Sequence, residues 1–89
     1  MSDAEKFLVV KKYVDECDAF SLLAGGAPRD EYDVGSIRIA ECISKEDTSK
    51  WIAAVIAGVM SASFDEDVLP GLLIEAAEKI RYELREVAE

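Results

Sequence analysis

The stretch from Trp51 to Phe64 constrains the fold of this chain more than any other. Trp51, Ile52, Val55, Ile56, Val59, Met60 and Phe64 cover far more than one helical stripe, and most of the remainder is Ala, Gly or Ser. A helix that is apolar nearly all round belongs in an interior, so this segment is expected as the central helix of the fold. Its most apolar part, Trp51 to Met60, is ten residues long, whereas a membrane span needs about twenty. Asp47 or Thr48 is placed to cap its start.

Three further helices are readable around it. Ser2-Asp3-Ala4-Glu5 has capping-box spacing, and Phe7, Val10, Val14 and Cys17 then recur at helical intervals. This predicts a first helix over about residues 4–17, although Leu8-Val9-Val10 also has the β-branched character of a strand. Asp30 or Asp33 caps a second helix with Val34, Ile37, Ala40 and Ile43 (or Cys42) as its inner stripe, and Gly35 weakens its first turn. Pro70 suits a first helical turn. Leu73, Ala76, Ala77, Ile80, Leu84 and Val87 form the inner face of a fourth helix over about 69–87, with Glu75 and Lys79 as an i,i+4 pair. No repeat or low-complexity linker divides the chain. The expectation is all-α: a compact four-helix domain over residues 1–89, with an ordered, partly buried loop between helices one and two.

The charge balance narrows the partners. The 89 residues carry 19 Asp and Glu against 10 Lys and Arg, a net charge of −9. Eight acids and four bases lie in residues 1–33, three of each in 34–64, and eight acids and three bases in 65–89. Nucleic acids and anionic lipid are bound mainly through Lys and Arg, so neither is expected here. Met1-Ser2-Asp3-Ala4-Glu5 shows no basic segment leading into an apolar core, so no leader is read, and a cytoplasmic location is expected.

There is no histidine, and there are two cysteines, Cys17 and Cys42. That excludes a Cys/His metal set and a Ser-His-Asp site within one chain. Each Cys falls among apolar neighbours on a helix, which reads as a buried free thiol. Gly25-Gly26-Ala27-Pro28 lacks the lysine and preceding strand of a phosphate-binding loop, and reads as a turn. Asp65-Glu66-Asp67 fails the calcium-loop register, since Leu69, Pro70 and Ala76 fall where ligands or glycine are required. It reads instead as an acidic cap on helix four. Ala54, Gly58 and Ala62, flanked by Ala53, Ala57 and Ser61, would let another helix approach closely. Helix one or four is the expected neighbour, and a self-associating face the alternative.

The segment from Asp18 to Asp33 interrupts the helical pattern. Gly25-Gly26 and Pro28 break regular structure, while Phe20, Leu22 and Leu23 require a dry place. Asp18, Asp30, Glu31 and Asp33 bracket it, either as caps and turn formers or as carboxylates converging on Mg²⁺ or Ca²⁺. Tyr32 stands among them, its hydroxyl within reach of a carboxylate. An account without ligand has Asp18 accepting loop N–H groups, Asp30 capping helix two, and Leu22, Leu23 and Tyr32 closing over the core.

Asp18-Ala19-Phe20-Ser21-Leu22-Leu23 and Pro28-Arg29-Asp30-Glu31-Tyr32 resemble the YugE-like family of small bacterial proteins, a domain of unknown function. Those chains tend to read Trp-Asp-Pro, a Leu-rich step, then Pro-x-Asp-Glu-Tyr opening a helix. Cys17 and Ala19 stand here where the family usually has Trp and Pro. The resemblance implies an all-helical fold and singles out Asp18, Pro28, Asp30, Glu31 and Tyr32 as its signature.

Three functional readings follow. The first is a non-enzymatic domain that binds a protein partner, with a basic one favoured by the net charge of −9. Nuclease-inhibiting immunity proteins are an analogy in charge and size, since complementary charge speeds encounter. Its candidate binding residues are Asp18, Pro28, Asp30, Glu31, Tyr32 and Asp33, with no catalytic residue, metal or cofactor. The second is a metal-dependent or carboxylate-based enzyme using the 18–33 loop. The third is a homodimer without another partner.

Overall fold

A computed structural model of the chain describes residues 3–18, 24–28, 30–64, 67–68 and 70–87. They form α1 (Asp3–Cys17), α2 (Asp33–Cys42), α3 (Ser49–Phe64), a 3-10 turn (Pro70–Leu73) and α4 (Ile74–Val87), with no strand among them. The all-α, four-helix expectation is met, and Leu8-Val9-Val10 is helical throughout. The 3-10 turn takes the first residues expected of helix four, with Pro70 at its head. Ser2, Asp65, Glu66 and Leu69 lie outside the described residues, as do Phe20, Leu22 and Leu23.

The helices pack as a ring, α1 on α2, α2 on α3, α3 on α4 and α4 back on α1. Polar contacts show the sense of each step. Lys11 of α1 meets Asp33 at the start of α2, while Lys6 donates to the carbonyl of Ile43 just past its end. Lys12 and Glu16 of α1 reach Glu83 and Lys79 of α4. Arg81 and Arg85 near the end of α4 donate to the Asp47 and Lys45 carbonyls in the α2–α3 turn. The result is an up-down-up-down bundle.

In such a ring no helix has neighbours on all sides, and this corrects the expectation for α3. Ile52, Ala53, Ile56, Ala57 and Met60 are buried against α2, α4 and the 3-10 turn. Trp51 is 54% exposed, and Ala54, Gly58 and Ala62 are also exposed. The helix is therefore peripheral, packed on α4, one of its two expected neighbours, and on α2 rather than α1. Thr48 supplies the cap, its Oγ1 accepting the Trp51 N–H at 3.1 Å. Asp47 instead closes the preceding turn by accepting the Ser44 N–H at 2.9 Å. Ser61 accepts the Val68 N–H, tying the following connection back onto α3.

The inner face of α2 also differs from expectation. Val34 and Ile37 are 62% and 47% exposed, and the buried set is Tyr32, Gly35, Ser36, Ile39, Ala40 and Ile43. Tyr32, fully buried just before the helix, sets this rotation: residues 32, 36, 39 and 43 share one face. Gly35 is a close-approach residue, because a Cβ there would lie 3.2 Å from Met60 Cε. Neither Asp30 nor Asp33 caps the helix, whose N-cap position is Tyr32 with no side-chain cap bond. Cys42 is exposed, against the expectation of a buried thiol, and Cys17 is half-buried. Both are free. The core joins Val9, Val10 and Val14 of α1 to Leu73, Ala77, Ile80 and Leu84.

Two predictions follow from this packing. Ser36 is fully buried and its hydroxyl has no hydrogen-bond partner among the described residues. Replacing an unsatisfied buried hydroxyl by a methyl removes a desolvation cost, so Ser36→Ala should gain up to about 1 kcal/mol and a few degrees of melting temperature. An unchanged or lower melting temperature would show that the hydroxyl is satisfied in solution. The second concerns Glu83, whose Oε1 accepts Tyr13 Oη at 2.6 Å and Lys12 Nζ at 3.0 Å. The Tyr13 hydroxyl above all, then the Lys12 ammonium, holds its carboxyl below the usual glutamate range. A depressed carboxyl stabilises the fold above its unfolded pKa and loses that contribution as pH falls through the folded value. Glu83→Gln should cost up to about 1 kcal/mol near neutrality. Its melting temperature should converge with the parent's as the pH drops below about 4.

Candidate functional site

The 18–33 segment is a corner built around one carboxylate. α1 ends with the Asp18 N–H donating to the Val14 carbonyl, and Asp18 itself takes a left-handed φ of 46°. That conformation is the usual way to end a helix and favours Gly, Asn or Asp. It turns the chain and carries the side chain across the corner. Asp18 Oδ2 accepts the Ala24 N–H at 3.0 Å, and Oδ1 accepts the Tyr32 hydroxyl at 2.5 Å. Gly26 follows at φ 98°, in a turn only glycine takes without strain.

From there two overlapping turns lead into α2. The Glu31 N–H donates to the Pro28 carbonyl and the Asp33 N–H to the Asp30 carbonyl, each at 3.0 Å. The Tyr32 carbonyl then accepts the Ser36 N–H, beginning the helix. The Tyr32 ring is buried and meets Phe64 edge-on, with centroids 5.5 Å apart and planes at 68°. The corner thereby joins the end of α1, the start of α2 and the end of α3.

The six candidate residues divide by environment. Asp18 and Tyr32 are bonded to each other inside the corner. Asp33 is held at 2.6 Å by Lys11, which also pairs with Asp15 at 2.9 Å. Those bonds, Asp33 first and Asp15 second, raise the Lys11 ammonium above its ordinary range. Pro28, Asp30 and Glu31 point outward and are exposed, and neither acid is in an ion pair among the described residues. No three Asp, Glu or Cys side chains among the described residues gather as a metal-holding group. Asp18, Asp30, Glu31 and Asp33 therefore do not converge as the metal alternative requires.

The antiparallel bundle extends this acidic end in a way the linear sequence does not display. The start of α4 lies beside the end of α1, and a cleft of about 280 Å³ opens between Tyr13 and Cys17 on one side and Leu72 and Ala76 on the other. Lys79 crosses it, 2.8 Å from Glu16 and 3.6 Å from Glu75. Burial, then the charges of Asp18, Glu75 and Glu16, push the Cys17 thiol up, so it stays protonated at neutral pH and is a poor nucleophile. Leu72, which no periodicity argument singled out, is 72% exposed at the rim. Residues separated by more than fifty positions meet here, and only the fold brings them together.

Comparison with known proteins found no matching family model, no similar curated protein and no similar solved structure. The reading of the corner rests on its geometry.

Asp18 should accordingly matter for stability. Asp18→Ala removes two bonds to a charged acceptor and leaves a Cβ-bearing residue without local bonding at positive φ, and should cost about 2–4 kcal/mol. Asp18→Gly relieves the backbone conformation and should cost less than Asp18→Ala. Chemical denaturation of both variants tests the order, and equal losses would show that the backbone conformation plays no part.

Proposed function

We propose that this chain is a small acidic, non-enzymatic protein-interaction domain that recognises a basic protein partner through the end of the bundle carrying the 18–33 corner. The observation that carries this reading is the separation of roles among the corner acids. Asp18 and Asp33 are engaged within the fold, while Asp30 and Glu31 stand exposed on a braced turn. Exposed, fixed carboxylates speed encounter with a cationic surface and suppress anionic partners. An immunity or regulatory role fits such a surface, as does a bacterial cytoplasmic setting. No helix among the described residues is long and apolar enough to cross a membrane.

The test is capture from source-cell lysate at about 50 mM and about 500 mM salt, using the parent chain and the Asp30→Lys/Glu31→Lys variant. The expected result is a basic protein recovered by the parent at low salt, lost at high salt and lost by the variant, whose melting temperature stays within a few degrees of the parent's. Capture that resists salt, or that the variant retains, would overturn the reading.

A further inference from the structure

At the end of the bundle away from the corner, two arginines are fixed in place without being neutralised. Arg81 and Arg85 stand one turn apart on α4. Each donates its Nε–H to a carbonyl of the α2–α3 turn, Arg81 to Asp47 and Arg85 to Lys45, at 3.1 Å. A guanidinium carries five N–H donors in one plane. The four on the Nη atoms of each have no partner among the described residues, and neither arginine is in an ion pair there. Lys11, Lys12 and Lys79 of the same chain all lie on carboxylates.

These guanidiniums line a cleft of about 440 Å³ together with Ser49, the first residue of α3. That volume lies within the range of about 300–1,000 Å³ usual for small-molecule sites. The positive end of the α3 dipole adds to the field of the two arginines. Glu78 and Glu86 line the same cleft, both exposed and neither in an ion pair among the described residues. Tyr82, 69% exposed, adds an aromatic ring.

We infer that this cleft binds a small zwitterion of the α-amino acid class, its carboxylate on the Arg81 and Arg85 guanidiniums and its ammonium on Glu78 or Glu86. Charge selects that class. A bare anion would meet both glutamates and a net charge of −9, and a bare cation would meet both guanidiniums. A molecule carrying one charge of each sign has a partner for both and no net repulsion. The planar guanidinium fork matches a carboxylate, and the Nε–H bonds hold it in position beforehand, which lowers the cost of binding. The Tyr82 ring favours an apolar or aromatic side chain on the ligand. The site shares no residue with the 18–33 corner, so it stands or falls independently of the basic-partner reading.

L-phenylalanine is the probe, with N-acetyl-L-phenylalanine lacking the ammonium and phenethylamine lacking the carboxylate. Titration of each into the whole chain, followed by the Arg81 and Arg85 Nε–H resonances in NMR, reads the site directly. In so open a cleft the expected dissociation constant for phenylalanine is about 0.1–10 mM. The other two compounds should each bind about tenfold more weakly or worse. Arg85→Gln, at an exposed position, should weaken phenylalanine about tenfold. Glu78→Gln/Glu86→Gln should weaken phenylalanine yet strengthen N-acetylphenylalanine, a reversal that loss of structure would not produce. Both variants should keep the parent's melting temperature within a few degrees. No saturable shift at Arg81 and Arg85, equal binding of phenylalanine and its N-acetyl form, or phenylalanine binding unchanged in either variant would each overturn the inference.

Discussion

A single hydrogen bond between the Tyr32 hydroxyl and the Asp18 carboxylate governs how the rest of this bundle is arranged. Burying a tyrosine places a hydroxyl where it needs a partner, and Asp18 provides one from the end of the preceding helix. The bond sets the separation of α1 and α2, and the other oxygen of the same carboxylate fixes the intervening loop at Ala24. Tyr32 in turn sets the rotation of α2. With residue 32 inward, Gly35 faces Met60, Ile39 and Ile43 enter the core, and Val34 and Ile37 turn to solvent.

Around that corner the helices are held by apolar burial, and their order is marked by polar contacts at the seams. Lys11 joins α1 to α2, and Lys12 and Glu16 join α1 to α4. The guanidinium groups of Arg81 and Arg85 fasten α4 to the turn before α3. Exposed pairs of this kind each contribute little to stability. Their significance is positional: each joins residues that coincide only in this antiparallel order.

Much of the architecture was legible in the sequence. The four helices, the inner face of α4, the Glu75–Lys79 pair and the acceptor role of Asp18 follow from spacing and from the chemistry of helix ends. What escaped has physical causes. Hydrophobicity patterning ranked Val34 and Ile37 above Gly35 and Ser36, yet close approach at Gly35 and the anchoring of Tyr32 decide the face, and neither is a hydropathy signal. The composition of α3 suggested burial on every side, but a ring of four helices leaves each with an outer surface. Asp30 and Asp33 looked like caps because Asp so often is one. Here Asp30 serves through its carbonyl and Asp33 pairs with Lys11, a residue twenty-two positions away. The meeting of Cys17 with Leu72 and Glu75 has no local signature.

The central claim is that Asp18 and Tyr32 act as a unit, and a double-mutant cycle tests it most directly. Asp18→Asn, Tyr32→Phe and the double variant would be compared by equilibrium denaturation, with the interaction energy taken from non-additivity. The account predicts a coupling of about 1–3 kcal/mol, with each single variant losing most of what the double variant loses. Additive losses would mean that the hydroxyl and the carboxylate stabilise the fold independently, and the corner would then have to be explained by apolar packing alone.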